Sequence, residues 1–177
     1  YPKLGQTGYT IAEALSELID NSIDARNEEV SIVISIDKKR GLIIVEDNGI
    51  GMSKDITKES IILGKSNKKA GQLGQFGLGL KTACMSLGKR FVIETTTKNS
   101  DKLYKIIFDE EDFLQKGDWS NFEIITKSGI DIEKSGTKIA IDKLRIKFYY
   151  NLVDVVKKHL SERFTPFIQN KEVEIKI

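Results

Sequence analysis

Apolar residues recur along this chain with two different periods, and the period separates the predicted helices from the predicted strands. In residues 10–26 they return every three or four positions, which predicts an amphipathic helix with its apolar face inward. A second helix is predicted over residues 80–87 and ends at Gly88. A third is predicted over residues 149–160, and Pro166 follows closely enough to terminate it.

Strands are predicted where apolar and polar residues alternate. Residues 30–36 have this pattern, and residues 42–45 form an apolar run after a polar turn that ends at Gly41, so the two segments predict a β-hairpin. Further strands are predicted at residues 91–97, 103–108, 122–126, 137–141 and 173–177. A mostly antiparallel mixed sheet with helices on one face makes an α+β two-layer sandwich the expected fold class.

The segment between Asn48 and Gly79 differs from the rest of the chain in its composition. It is rich in Gly, Ser, Lys and Asn, and its apolar residues gather in one short stretch at residues 61–63. Such a sequence predicts a mobile loop that carries a short helix.

The composition fits one globular domain over residues 1–177, with 40% hydrophobic and 31% charged residues. A formal charge of +2 provides no global attraction for nucleic acid or for an anionic membrane surface. Cys84 and His159 are the single cysteine and the single histidine, which excludes an internal disulfide and a clustered thiolate metal site.

The sequence also carries information about location. No run approaches the roughly 18 apolar residues of a membrane span, and the N-terminus lacks a basic-then-apolar signal segment. An intracellular protein is therefore expected, in the cytoplasm or in a nucleus. The chain begins with Tyr1 and stops inside an alternating run at Ile177, so we expect a fragment of a longer multidomain protein.

The polar face of the first predicted helix is a candidate site. Glu13, Glu17, Asn21 and Asp24 have i, i+4, i+8, i+11 spacing and form one stripe along the helix. Asn21 offers the kind of neutral oxygen that binds magnesium, and Glu17, one turn earlier, can orient or deprotonate water. Taken alone, such a stripe is usually a solvated helix face.

A glycine-containing loop at the end of a predicted strand is a second candidate. Its glycines let the backbone turn sharply and approach a flat ligand, and the Asp47 carboxylate can accept a hydrogen bond from an amino group. The same composition is equally typical of a tight turn. The candidate ligand-binding residues here are Asp47, Gly49, Gly51 and Met52.

A second glycine-rich loop immediately precedes the helix predicted at residues 80–87. Free backbone N–H groups and the positive end of the helix dipole can converge there on a phosphate, and Lys81 adds a cation. The loop lacks the Gly-Lys-Ser/Thr ending of a Walker loop and the strand of a dinucleotide fold, which disfavours both classes. The candidate phosphate-binding residues are Gly74, Gln75, Phe76, Gly77, Leu78, Gly79 and Lys81.

Two weaker candidates complete the set. Thr137 opens a predicted strand, and its hydroxyl reaches a ligand beside Asp47 if the two strands are neighbours. Lys65 and Ser66 belong to a basic stretch of the glycine- and lysine-rich loop, in which at most one or two side chains are expected to meet phosphate.

In this order, the motifs at residues 17–25, 47–52, 74–81 and 136–137 resemble the GHKL ATPase superfamily of gyrases, ninety-kilodalton heat-shock chaperones, histidine kinases and MutL proteins. The run from Gly74 to Phe91 looks most like the MORC-type chromatin ATPases, followed by the heat-shock chaperones and MutL. The resemblance implies a Bergerat fold with ATP and Mg as cofactors.

The resemblance also implies roles for individual residues. Glu17 would be the general base and Asn21 the magnesium ligand, while Asp47 and Gly51 would form the adenine pocket. Thr137 would hold adenine through a water shared with Asp47. Asp24 and Met52 are further nucleotide-binding candidates, and Gly77 and Gly79 would cradle phosphate.

The function expected from this resemblance is ATP binding that closes residues 53–74 as a lid over the nucleotide and pairs two protomers. Slow ATP hydrolysis would then reset the cycle. In the related hydrolysing families, the domain that follows donates a lysine to the γ-phosphate. DNA, chromatin or a protein client would bind through domains outside this chain. Two alternatives remain open, a phosphotransferase of the histidine-kinase kind and a non-hydrolysing ATP sensor.

Overall fold

A mixed sheet with helices on one face forms the described part of the chain. The computed structural model describes residues 9–26, 29–61, 79–116 and 123–177. The strands are β1 (Val30–Asp37), β2 (Leu42–Asp47), β3 (Gly88–Thr96), β4 (Lys102–Asp109), β5 (Ile125–Ser128), β6 (Gly136–Leu144) and β7 (Val173–Lys176). The helices are α1 (Ile11–Asp24), α2 (Lys54–Ile61), α3 (Gly79–Leu87), α4 (Glu110–Lys116) and α5 (Leu152–Gln169). The α+β two-layer sandwich is confirmed.

The order of strands in the sheet is β5-β4-β3-β6-β2-β1-β7. Neighbouring strands are antiparallel except for β1 and β7, which are parallel. The predicted hairpin is confirmed, since β1 pairs with β2 and Asp37 lies opposite Leu42. At the other end of β2, Asp47 lies opposite Thr137 of β6, and Thr137 lies opposite Thr95 of β3. The fold therefore places the ends of three central strands side by side.

Helix α1 packs its apolar face into the core as its periodicity predicts. Leu15, Leu18 and Ile19 are at most 1% exposed. The helix begins with a capping box, in which Glu13 N donates to Thr10 Oγ1 and Thr10 N donates to the Glu13 carboxylate. The first polar residue of the stripe therefore stabilises the helix start, and these hydrogen bonds hold the pKa of Glu13 below its usual value.

The prediction that Pro166 ends the last helix is wrong. Helix α5 continues to Gln169, with Pro166 inside it. Phe164 is buried before the proline and Phe167 packs against the core after it, so hydrophobic contacts sustain the last turn. The missing N–H of Pro166 removes one bond to the carbonyl of Glu162, an exposed residue.

Three further elements were not predicted, or were predicted only in part, from the sequence. Helix α4 is largely polar and was not predicted, and it is held by Phe113, whose ring centroid lies 5.9 Å from that of Phe108. The short helix predicted within the glycine- and lysine-rich loop, for which the sequence analysis set no bounds, is Lys54–Ile61. β5 begins at Ile125, and all its residues are exposed, so alternation could not place it.

No helix within the described ranges is both long and apolar enough to cross a membrane.

Candidate functional site

The ends of β2, β3 and β6 bring Asp47, Thr95 and Thr137 together. Asp47 of β2 lies opposite Thr137 of the neighbouring strand β6, and the hydroxyl oxygens of Thr95 and Thr137 are 3.1 Å apart. The register expected for Thr137 is therefore observed. These three side chains form one wall of the candidate site.

The Asp47 carboxylate is held as a hydrogen-bond acceptor. Its Oδ2 accepts from Ser22 Oγ at 2.8 Å, and its Oδ1 accepts from the backbone N–H groups of Gly49 at 3.0 Å and Thr137 at 3.2 Å. Burial raises the pKa of Asp47 above its usual value, and these three hydrogen bonds oppose that rise because they favour the ionised form. The carboxylate is thus fixed in direction.

The backbone of Gly51 passes too close to a neighbouring strand for any side chain. Its φ is +67°, and a Cβ built on it would lie 1.8 Å from the carbonyl oxygen of Thr96. Nothing larger than hydrogen fits there, which explains the glycine between Ile50 and Met52.

We expect Gly51→Ala to destabilise the fold by about 3 kcal/mol or more, because left-handed strain adds to a clash with backbone. Gly41→Ala is the matched control, since Gly41 has φ +62° and no neighbouring atom within 4 Å. The control should lose only about 1–2 kcal/mol. Urea unfolding measures both, and equal losses would show that Gly51 tolerates a side chain.

Thr95 connects the loop that follows β2, which contains Gly51 and Met52, to β6. The sequence analysis did not predict this residue. Its hydroxyl accepts from Met52 N at 2.9 Å and lies 3.0 Å from the Gly136 carbonyl oxygen, to which it can donate. Thr95 is 1% exposed, so this hydroxyl depends on protein partners. Its position opposite Thr137 is decided by strand pairing, which a single sequence does not reveal.

Ser22 was also missed, although the sequence contains a signal for it. It lies on the buried face of α1, 4% exposed, among apolar positions that include Leu18. A hydroxyl on the apolar face of an amphipathic helix requires a partner, and Ser22 Oγ has the Leu18 carbonyl at 3.3 Å and, closer at 2.8 Å, Asp47 Oδ2.

Glu17 and Asn21 lie at the other end of the candidate site. Asn21 Nδ2 donates to the Glu17 carbonyl at 2.7 Å, so the amide nitrogen points back along α1 and the amide oxygen is the atom suited to a cation. A Cβ built on Gly79 would lie 2.7 Å from Glu17 Oε2. The Glu17 carboxylate therefore borders the first residue of α3, and Asp24 lies half-buried at the end of α1.

Lys81 is a buried cation in the first turn of α3. Its side chain is 1% exposed, and burial lowers its pKa to about 8. Among the residues that the structure describes, none makes a hydrogen bond to Lys81 Nζ. A buried ammonium without a partner is costly, so an anion at this place would be strongly favoured.

Seven of the predicted site residues lie outside the described ranges. They are Lys65, Ser66, Gly74, Gln75, Phe76, Gly77 and Leu78. Within the described ranges, no group of three or more His, Cys, Asp or Glu residues could hold a metal ion. Magnesium does not require such a group, because it commonly takes one or two protein ligands and completes its shell with water and phosphate oxygens.

Proteins of two kinds are similar to this chain. Protein MICRORCHIDIA 5 of Arabidopsis thaliana is 40% identical over 88 residues, which are 45% of this chain and 12% of that protein. ATPase MORC2B of Mus musculus is 37% identical over 95 residues, 49% of this chain and 9% of that protein. Chaperone protein HtpG of Helicobacter pylori is 31% identical over 106 residues, 52% of this chain and 17% of that protein. The chain thus spans less than a fifth of the length of each of these three relatives.

A family model described as "Histidine kinase-, DNA gyrase B-, and HSP90-like ATPase" matches residues 9–138. The matched range begins just before α1 and ends just after Thr137, so it contains every candidate site residue. This match supports ATP binding and, at a coarse level, ATPase activity. The order of resemblance expected from the motifs, MORC proteins and heat-shock chaperones, is confirmed. The chain belongs to the GHKL-type family of histidine kinase-, DNA gyrase B- and HSP90-like ATPases.

Proposed function

We propose that this chain binds ATP with magnesium in the space between α1, α3 and the ends of β2 and β6, and hydrolyses it slowly. The observation that carries the proposal is the position of α1. Its Ser22 holds Asp47 at one end of the site, and its Glu17 borders Gly79 at the other. One rigid helix therefore connects an amino-group acceptor to the start of a helix suited to phosphate.

Adenine is proposed to bind at Asp47. Each carboxylate oxygen has two lone-pair positions, and Ser22 is the described donor to Oδ2. Oδ2 can therefore accept a second hydrogen bond, from the exocyclic amino group of adenine. The backbone of Gly51 allows the flat base to approach closely, and Thr137 shares the same wall.

The phosphates are proposed to bind at the start of α3. Its first N–H groups and its dipole favour negative charge, and the Lys81 ammonium lies in the same turn. A phosphate oxygen would give the buried Lys81 Nζ a charged partner. Gly74 to Leu78 and the Lys65 and Ser66 side chains are proposed to complete this cradle.

Asn21 is proposed to bind magnesium through its amide oxygen, and Glu17 is proposed to activate the attacking water. Magnesium supplies charge neutralisation at the phosphates when it is bound. Glu17 can accept a proton from water because its carboxylate borders the helix start at which the phosphates are proposed to bind. Asp24 is proposed to support the nucleotide from the end of α1.

ATP binding is further proposed to close residues 53–74 over the site and to pair two protomers in a larger protein. Helix α2 begins this segment, and its Ile61 is buried. The mouse relative is named an ATPase and the bacterial relative a chaperone, which is the support for an energy-consuming role. Association with chromatin or DNA is proposed from the likeness to the MORC proteins.

Nucleotide binding should raise the thermal stability of this chain. At an ATP concentration about 100 times Kd, with magnesium, native-state binding adds about 2.7 kcal/mol, which is roughly 5–10 °C in Tm for a domain of this size. GTP is the matched control, because guanine presents a carbonyl where adenine presents an amino group. A melt that millimolar ATP leaves unchanged would contradict the proposal.

The fate of the γ-phosphate separates the alternatives. An ATPase releases inorganic phosphate, a phosphotransferase retains labelled phosphate on protein, and a sensor binds ATP without either result. Measuring free and protein-bound label in one reaction distinguishes all three.

A further inference from the structure

The hydroxyl of Thr95 meets three polar groups. Its Oγ1 lies 2.9 Å from Met52 N in the loop after β2 and 3.0 Å from the Gly136 carbonyl oxygen at the start of β6. It also lies 3.1 Å from Oγ1 of Thr137, the residue opposite Thr95 in the sheet. A hydroxyl has one hydrogen and two lone pairs, so these three contacts use its whole capacity.

The direction of each of these hydrogen bonds follows from the partners. The N–H of Met52 can only donate, and the carbonyl of Gly136 can only accept. Thr95 therefore gives its single hydrogen to the carbonyl and keeps one lone pair for Thr137. Two hydroxyl oxygens 3.1 Å apart need a hydrogen between them, and Thr137 has to supply it. The Thr137 hydroxyl is thus the donor of this pair.

This direction decides what Thr137 can offer to a ligand. Its one hydrogen points into the protein toward Thr95, so its oxygen presents lone pairs alone. The ionised Asp47 carboxylate beside it is also an acceptor and already binds Thr137 N at 3.2 Å. A water shared by the two side chains would give one hydrogen to each and would itself present a lone pair. This wall of the site therefore meets a ligand with acceptors.

We propose that Thr95 is a positioning residue that makes the nucleotide site specific for an amino group at position 6 of a purine. Thr95 is 1% exposed and acts through Thr137. The inference rests on the function proposed above. A carbonyl oxygen at position 6 would face lone pairs of Asp47 and Thr137, and the Thr137 hydrogen cannot turn to meet it while Thr95 holds it.

The test is the ratio of two dissociation constants, for inosine diphosphate and for ADP, each with magnesium, measured by calorimetry on Thr95→Val. Valine keeps the branched shape but releases the Thr137 hydrogen, which can then turn toward the carbonyl of inosine. We expect the ratio to fall about fivefold, the worth of one neutral hydrogen bond. The unpaired Met52 N–H weakens both ligands equally, and the N1 hydrogen of inosine is present in every titration. Neither changes the ratio.

Thr96→Val is the matched control. Thr96 is the next residue of β3, is 7% exposed, and donates its hydroxyl hydrogen to the Lys102 carbonyl at 2.9 Å. Its loss removes another buried hydrogen bond and should leave the ratio at the parental value. Thr95→Ser keeps a hydroxyl at the same place and should also keep that value. An unchanged ratio in Thr95→Val, or an equal fall in Thr96→Val, overturns the proposal.

A second substitution tests whether Thr95 acts through Thr137. Thr137→Val removes the acceptor itself and should also lower the ratio. Adding Thr95→Val to that variant should then change nothing, because the hydroxyl that Thr95 directs is gone. A further fall in the double variant refutes the positioning role. If Thr95→Val does not fold, Thr95→Ala replaces it in both experiments, with the same expected results.

The two levels of the proposal fail differently. A parent chain that binds neither nucleotide removes the proposed function and this inference together. A parent chain that binds ADP and inosine diphosphate equally well keeps a nucleotide site, but it removes the specificity assigned to Thr95 and Thr137.

Discussion

Glu17→Gln is expected to slow ATP hydrolysis by roughly 10²- to 10⁴-fold, the usual effect of losing a general base. Glutamine keeps the shape of the side chain beside Gly79 but cannot accept the proton of the attacking water. ATP affinity should stay within about twofold, because the proposed contacts of Asn21 and Asp47 with the ligand remain. Phosphate release under single-turnover conditions, with protein in excess over ATP, makes a slow rate measurable.

Glu13→Gln is the matched control for this experiment. Glu13 lies one turn earlier on the same stripe, and glutamine can still cap the helix start through Thr10. Its hydrolysis rate should equal the parental rate. If Glu17→Gln hydrolyses ATP at the parental rate in a preparation free of other ATPases, Glu17 is not the base.

Asp47→Asn is expected to lower the affinity for ATP by roughly 10- to 100-fold. The loss corresponds to about 1.5–3 kcal/mol, the range for a hydrogen bond to a charged group. An amide at this place directs its NH2 either to the adenine amino group or, when flipped, to the N–H groups of Gly49 and Thr137, so donors face donors in both orientations. Titration with ATP and magnesium measures the change.

Inorganic triphosphate with magnesium is the control ligand for Asp47→Asn. It lacks the base, so it should bind the variant and the parent chain equally if the phosphate end of the site is intact. Asp37→Asn supplies the control substitution, because Asp37 lies at the opposite end of the same hairpin. Unchanged ATP affinity in Asp47→Asn would remove Asp47 from the adenine pocket.

These two experiments act on side chains that α1 positions at two places along the candidate site. Ser22 and Glu17 are five positions apart on α1, yet one holds the acceptor for the base and the other borders the helix at the phosphates. A rigid helix fixes this separation at a small entropic cost, which favours a ligand of one length. The lengthwise fit to a nucleotide therefore depends on α1 remaining straight and correctly rotated.

The sequence alone determined the elements with strong periodicity. The apolar face of α1, the β1–β2 hairpin and the helix after Gly79 were each predicted, because burial of one face imposes a period that the residues must follow. The candidate roles of Asp47 and Thr137 could also be predicted, since each lies where a strand ends or begins. Polar α4 and exposed β5 bury too little surface to leave such a pattern.

Only the tertiary structure decided which distant residues meet. Thr95 joins the site through strand pairing, and the buried Ser22 hydroxyl donates to Asp47. Arg163 contacts Asp20, although 143 positions of the chain separate them. The continuation of α5 through Pro166 was likewise decided by Phe164 and Phe167 packing on the core. A local pattern reports the period of burial and the chemistry of a loop. Which partner satisfies a buried polar group depends on long-range packing, and no local pattern contains that information.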